Sequence, residues 1–163
     1  MRRLLAPLLA LILVPAGLAA SFSDTVETSS PVTVASVTLT GDDQTKTFSI
    51  ITQVAYTGGN NSAGWKVEAA ATTPTSGTHT LPALEVTAGS FACATSCTTN
   101  PTPTGITYPV TLSTTATKIY NANTNTGKGT FNVTSTFQVA YPANIVTGTY
   151  SSTVTITAAT GPT

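Results

Sequence analysis

The sequence predicts an all-β protein, an antiparallel Ig-like β-sandwich behind an N-terminal leader. Three observations carry this. The chain is rich in β-branched Thr and Val while only 7% of its residues are charged, a composition that favours strands over charge-studded helices. Apolar residues alternate with polar ones over short segments, the period of a strand with one buried face. Clusters of Gly, Pro and Asn separate those segments, and no helical period follows the leader, a pattern of short strands and turns.

The leader comes first. Arg2 and Arg3 precede the nearly uncharged run Leu4 to Leu18, which ends in small residues at Ala19 and Ala20. A charged start, an apolar middle and a small-residue end make a secretory signal, and a cut after Ala19 leaves Gly17 and Ala19 at the preferred small positions. The run is shorter than the ~20 apolar residues of a bilayer-spanning helix, and Pro7 and Pro15 interrupt it. Residues 1–19 are therefore expected to be a signal peptide. Residues 20–31 form a polar lead-in that could serve as a donor strand, and residues 32–163 form one sandwich domain.

Within that domain, Val32, Val34, Val37 and Leu39 predict a strand with a phase shift near Ser36, a mark of a bulge or bend. Gly41-Asp42-Asp43 reads as a turn into a second strand with Phe48, Ile50 and Val54, irregular near Ile51, so the two strands should form a hairpin. Residues 57–64 read as a loop. Trp65, Val67, Ala69 and Ala71 then mark the inner face of a half-buried strand. Residues 73–80 are a further loop, and Leu81 to Val86 a short strand kinked at Pro82. Residues 88–108, with Pro101 and Pro103, read as the longest irregular region, a place where binding function often resides. Val110, Leu112 and Ile119-Tyr120 give short strands. The strongest alternation puts Phe131, Val133, Ser135, Phe137, Val139 and Tyr141 on one face, and the last strand turns Tyr150, Ser152, Val154, Ile156 and Ala158 inward.

Charge and chemistry exclude several functions. Without Arg2 and Arg3, four lysines face six acids, so no basic patch is present for nucleic acid or for an anionic membrane surface. No second apolar run of bilayer length follows the leader. Cys93 and Cys97 are expected to form a disulfide in an exported chain, closing a short loop with modest entropic effect. His79 is the only histidine and has no carboxylate near it in sequence, so no Ser-His-Asp arrangement is expected. Glu68 and Glu85 read as solvated strand residues rather than a glycosidase pair. Asp42-Asp43 reads as a turn-former, since calcium takes six to eight oxygens. Asn60 and Asn132 begin N-glycosylation triplets, which arise readily by chance in a Thr-rich chain. The chain is expected to be no enzyme and to need no metal or cofactor. Trp65 has the phase of a core aromatic, while an exposed aromatic would stack on sugars.

The order of Gly64-Trp65-Lys66-Val67, Leu81-Pro82, Tyr141-Pro142-Ala143-Asn144 and Gly148-Thr149-Tyr150, with Gly161-Pro162 beyond, resembles the WxL domain of bacterial surface proteins. Trp65-Lys66-Val67 corresponds to the first Trp-x-Leu motif, with Val for Leu. At the second motif Ile156 stands where the family has Trp. The resemblance implies a secreted, extracellular, non-catalytic domain held non-covalently on the Gram-positive cell wall. Trp65, Lys66, Val67, Tyr150 and Ile156 are then the candidate surface-binding motif and cell-wall polymer the partner. The alternative expectation is a subunit of an extracellular fibre or pilus that adds strands between neighbouring copies. No Leu-Pro-x-Thr-Gly sorting motif and no cysteine beside the expected cut are present, so retention should be non-covalent or through assembly.

Overall fold

The computed structural model describes residues 9–15, 22–26, 32–34, 37–57 and 63–162, with side chains from Val37 onward. The cut expected after Ala19 and the Asn60 triplet lie outside the described residues. The protein is an antiparallel β-sandwich. Its strands are β1 (Leu9–Pro15), β2 (Phe22–Val26), β3 (Val32–Val34), β4 (Gln44–Tyr56), β5 (Trp65–Ala71), β6 (Thr75–Ser76), β7 (His79–Thr80), β8 (Glu85–Thr99), β9 (Val110–Thr111), β10 (Thr117–Ala122), β11 (Lys128–Tyr141) and β12 (Ser151–Thr160). One sheet runs β10-β5-β12-β1-β3 with the β6–β7 hairpin attached, and the other runs β2-β4-β11-β8-β9. Among the described residues every ladder is antiparallel except β1 on β12.

β11 is the centre of the second sheet because its alternation is the cleanest in the chain. Phe131, Val133, Ser135, Phe137, Val139 and Tyr141 are all buried, and the residues between them are half-exposed. Its ladder to β4 runs without a register shift from Gly129↔Tyr56 to Tyr141↔Gln44. β5 and β12 supply the opposing layer, with Trp65, Val67, Ala69, Val154 and Ile156 facing inward. Each large aliphatic or aromatic side chain so buried contributes ~1.5–3 kcal/mol. Ring pairs fill the centre: Phe48 stacks on Phe137 at 5.2 Å, Phe91 meets Phe131 edge-on at 5.9 Å, and Trp65 lies between Tyr120 at 6.1 Å and Phe131 at 6.4 Å.

Four local expectations are corrected. The first two segments do not form a hairpin: β3 pairs with β1, and β4 lies between β2 and β11. β4 has no irregularity at Ile51, because Thr52 takes an inward position between Ile50 and Val54 and Ile51 faces outward. Residues 81–84 are not a strand; Leu81 and Leu84 are nonetheless buried. Most of the region read as irregular, residues 88–99, continues β8. It escapes notice because its side chains are largely exposed and its pairing to β11 is interrupted by register shifts, so no apolar alternation survives.

Candidate functional site

Inward phase on β5 and β12 determines where the five candidate surface-binding residues sit. Trp65 and Val67 are fully buried, and Tyr150 and Ile156 are 1% exposed. Trp65 Nε1 donates to the Gly127 carbonyl at 2.8 Å, and Tyr150 Oη donates to the Val146 carbonyl at 2.9 Å. Only Lys66 faces outward, with its ammonium 2.9 Å from Glu68 Oε1. The five do not form one exposed patch, and this corrects the expectation that they present a joint surface. Trp65 is a core anchor.

Two glycines hold that anchor. Gly127 has φ +67°, and a Cβ there would stand 2.5 Å from Trp65 Nε1. Gly64, with φ +78°, leaves no room either, since a Cβ would collide with the Ala122 carbonyl oxygen. Left-handed backbone and absent side chain are both required here. Asn121, missed by sequence reasoning, completes this flank. It is fully buried; its Oδ1 accepts from the Thr104 amide at 2.9 Å and its Nδ2 donates to the Pro162 carbonyl at 3.2 Å. Lys118 Nζ donates to the same carbonyl at 2.9 Å. A buried Asn in a strand carries no motif that would have announced it.

The segment 100–109 folds over this flank. With Gly89 and Tyr120, its residues Pro103, Thr104, Ile106 and Tyr108 line a cleft of about 120 Å³, well below the ~300 Å³ at which small-molecule sites begin. The Tyr108 hydroxyl donates to the Ile119 carbonyl. Burial raises the Tyr108 pKa, and burial followed by the neighbouring Tyr108 pushes Tyr120 up to about 12. These phenols are neutral structural groups at physiological pH.

The remaining polar candidates are dispersed. His79 is exposed in β7. Asp43 Oδ1 accepts from the Ala143 amide at 2.8 Å, tying the turn before β4 to the one after β11. Glu85 accepts from the Thr111 hydroxyl at 3.3 Å. Among the described residues no group of three His, Cys, Asp or Glu side chains is placed to hold a metal ion, and no helix is long and apolar enough to cross a membrane. Cys93 and Cys97 form a disulfide within β8. Gly129, with φ +130°, lies against it, where a Cβ would stand 2.5 Å from the Cys97 Cα.

The outer edge of β12 is secured by a backbone ladder to a single strand. Its inner edge pairs with β5 from Val154↔Ala71 to Thr160↔Trp65 without a shift, and with β6 at Ser151↔Thr75. On the outer edge the one strand among the described residues is β1, parallel, from Ala10↔Ser151 to Pro15↔Ile156. β12 contains no charged residue and no proline, so the usual devices that blunt an open edge are absent. The far edge of the second sheet, by contrast, is the two-residue β9, a short edge that offers little to pair with.

No known protein family, curated protein or solved structure matches the chain.

Proposed function

We propose that the exported chain is a non-catalytic structural subunit of an extracellular assembly built by β-strand addition at β12. One observation carries the reading: the outer edge of β12 is long, uncharged and paired only to residues expected to be removed with the leader. An edge of this kind attracts another strand. Low charge and abundant Thr suit close packing between copies. The test is electron microscopy and light scattering on residues 20–163 at neutral pH. Ordered polymers are expected; a monodisperse monomer at all concentrations would overturn the reading.

Non-covalent association with the cell wall is the second reading. The WxL resemblance favours it, together with a shallow outward depression of about 120 Å³ lined by Ala70, Ala71, Thr72, Thr114, Thr153 and Thr155. Hydroxyls there could meet a neutral polymer, whereas the buried Trp65 could not. Co-sedimentation with purified cell wall, weakened by Thr153→Ala and Thr155→Ala together, is its expected result.

A further inference from the structure

We infer that the Cys93–Cys97 disulfide is a reducible clamp on the register of β8, and that a dithiol which opens it releases the segment 100–109 from the β10 flank. From Thr136↔Ala88 to Phe131↔Cys93 the strands β8 and β11 advance one residue for one. Beyond that point β11 goes from Phe131 to Lys128 while β8 goes from Cys93 to Thr99, by way of Thr130↔Thr95. Three residues of β8 are surplus there, and the disulfide lies within the stretch that holds them.

The bond and a regular strand exclude each other. Four residues of strand separate Cα atoms by ~13 Å. Those of Cys93 and Cys97 are 6.0 Å apart, inside the range a disulfide demands. Ser96 folds the chain back between them with φ +52°, a conformation uncommon outside glycine. The missing side chain of Gly129 admits Cys97 against β11. Residues 92–96 are all exposed, so the bulge has no core packing of its own and a reductant can reach the bond.

Once the bond is open, β8 can extend the register of its first half. Phe91 on Phe131 anchors that half, so only the part beyond Cys93 shifts. Lys128 then meets Ser96 in place of Thr99, and Cys97, Thr98 and Thr99 pass to the segment beyond. They lengthen it by ~10 Å, at a closure cost that grows only with the logarithm of loop length. The slack falls on the ties of that segment. These are Gly127 N–H to the Asn100 carbonyl at 3.3 Å, Thr102 hydroxyl to Thr126 hydroxyl at 3.2 Å, Thr104 amide to Asn121 Oδ1 at 2.9 Å and Thr104 hydroxyl to Asn123 Oδ1 at 2.7 Å. Their release uncovers Asn121 and the cleft over Gly89. In the step itself the Cys93–Cys97 bond takes up two electrons and two protons and becomes two thiols, while the dithiol gives up both and closes to its own disulfide.

The experiment is amide exchange on the full chain, with and without dithiothreitol, and on the double variant Cys93→Ser, Cys97→Ser. At least tenfold faster exchange is expected across residues 97–106, the Thr104 amide included, with β4 and β5 unchanged. A second measurement reads the register. In the double variant, a cysteine pair made by Ser96→Cys and Lys128→Cys should oxidise to a crosslink, and a pair made by Thr99→Cys and Lys128→Cys should not. Unchanged exchange across 97–106 in the reduced protein would overturn the clamp. Crosslinking through position 99 and not 96 would overturn the register shift. Exchange that rises equally in β4 and β5 would show a link supporting the whole fold, and would overturn the local release.

Discussion

The two flanks of the first sheet are secured by different means. Around β10, individual side chains tie strands to loops: Trp65 to Gly127, Asn121 to Thr104 and Pro162, Lys118 to Pro162, Tyr108 to Ile119. Along the outer edge of β12, the bond is a backbone ladder to one strand, β1. The first arrangement fails when one atom group is removed. The second tolerates changes of side chain and depends on whether a strand is present. A flank built on specific contacts is fixed by the identity of its side chains; a flank built on a ladder is fixed by backbone pairing.

Substitutions on the β10 flank sharpen this contrast. Trp65→Ala removes the largest buried side chain and should cost about 3–5 kcal/mol, read as a lower urea midpoint. A loss below about 1 kcal/mol would mean that the flank is not anchored there. Gly127→Ala should cost about 2–3 kcal/mol, because its φ is +67° and the new Cβ would press on Trp65 and Ala122. Asn121→Ala leaves the Thr104 amide without its acceptor and should cost about 1–3 kcal/mol, with faster amide exchange across residues 100–109. Thr52→Val tests a site belonging to neither flank. The Thr52 hydroxyl is buried and has no hydrogen-bond partner among the described residues, so its replacement by a methyl of similar shape should raise stability by about 1 kcal/mol.

The last effect is silent at neutral pH. Tyr120 ionises near 12 in the folded protein and near 10 when unfolded. Between those values the unfolded chain releases its proton first, so stability should fall as pH rises above 10. Tyr120→Phe should flatten that fall in alkaline unfolding curves, and an unchanged slope would locate the alkaline sensitivity elsewhere.

Sequence reasoning read strands well where one face is fully buried. β5, β11 and the inward run of β12 follow directly from Trp65-x-Val67-x-Ala69, from Phe131 through Tyr141, and from Tyr150 through Ile156. It failed where burial is not the cause of order. Residues 88–99 are a strand because β11 offers a ladder to pair with, and their exposed side chains carry no record of that. The hairpin expected from Val32 to Val54 depended on which strands would meet, and partner choice across a sandwich is not encoded in local alternation. The Trp65 phase correctly pointed to the core, but its anchor, Gly127, lies 62 residues further along the chain. Nothing local distinguishes that glycine from a turn-former.

The uninterrupted β4–β11 register has a mechanical consequence. Two strands joined through thirteen consecutive residue pairs, from Gly129↔Tyr56 to Tyr141↔Gln44, carry a pull along their length in shear. Their hydrogen bonds, which lie across the strands, are then loaded together rather than peeled one at a time. Under tension along the strands, this long seam would be the stiffest part of the domain, and the shorter ladders such as β8–β9 would part first.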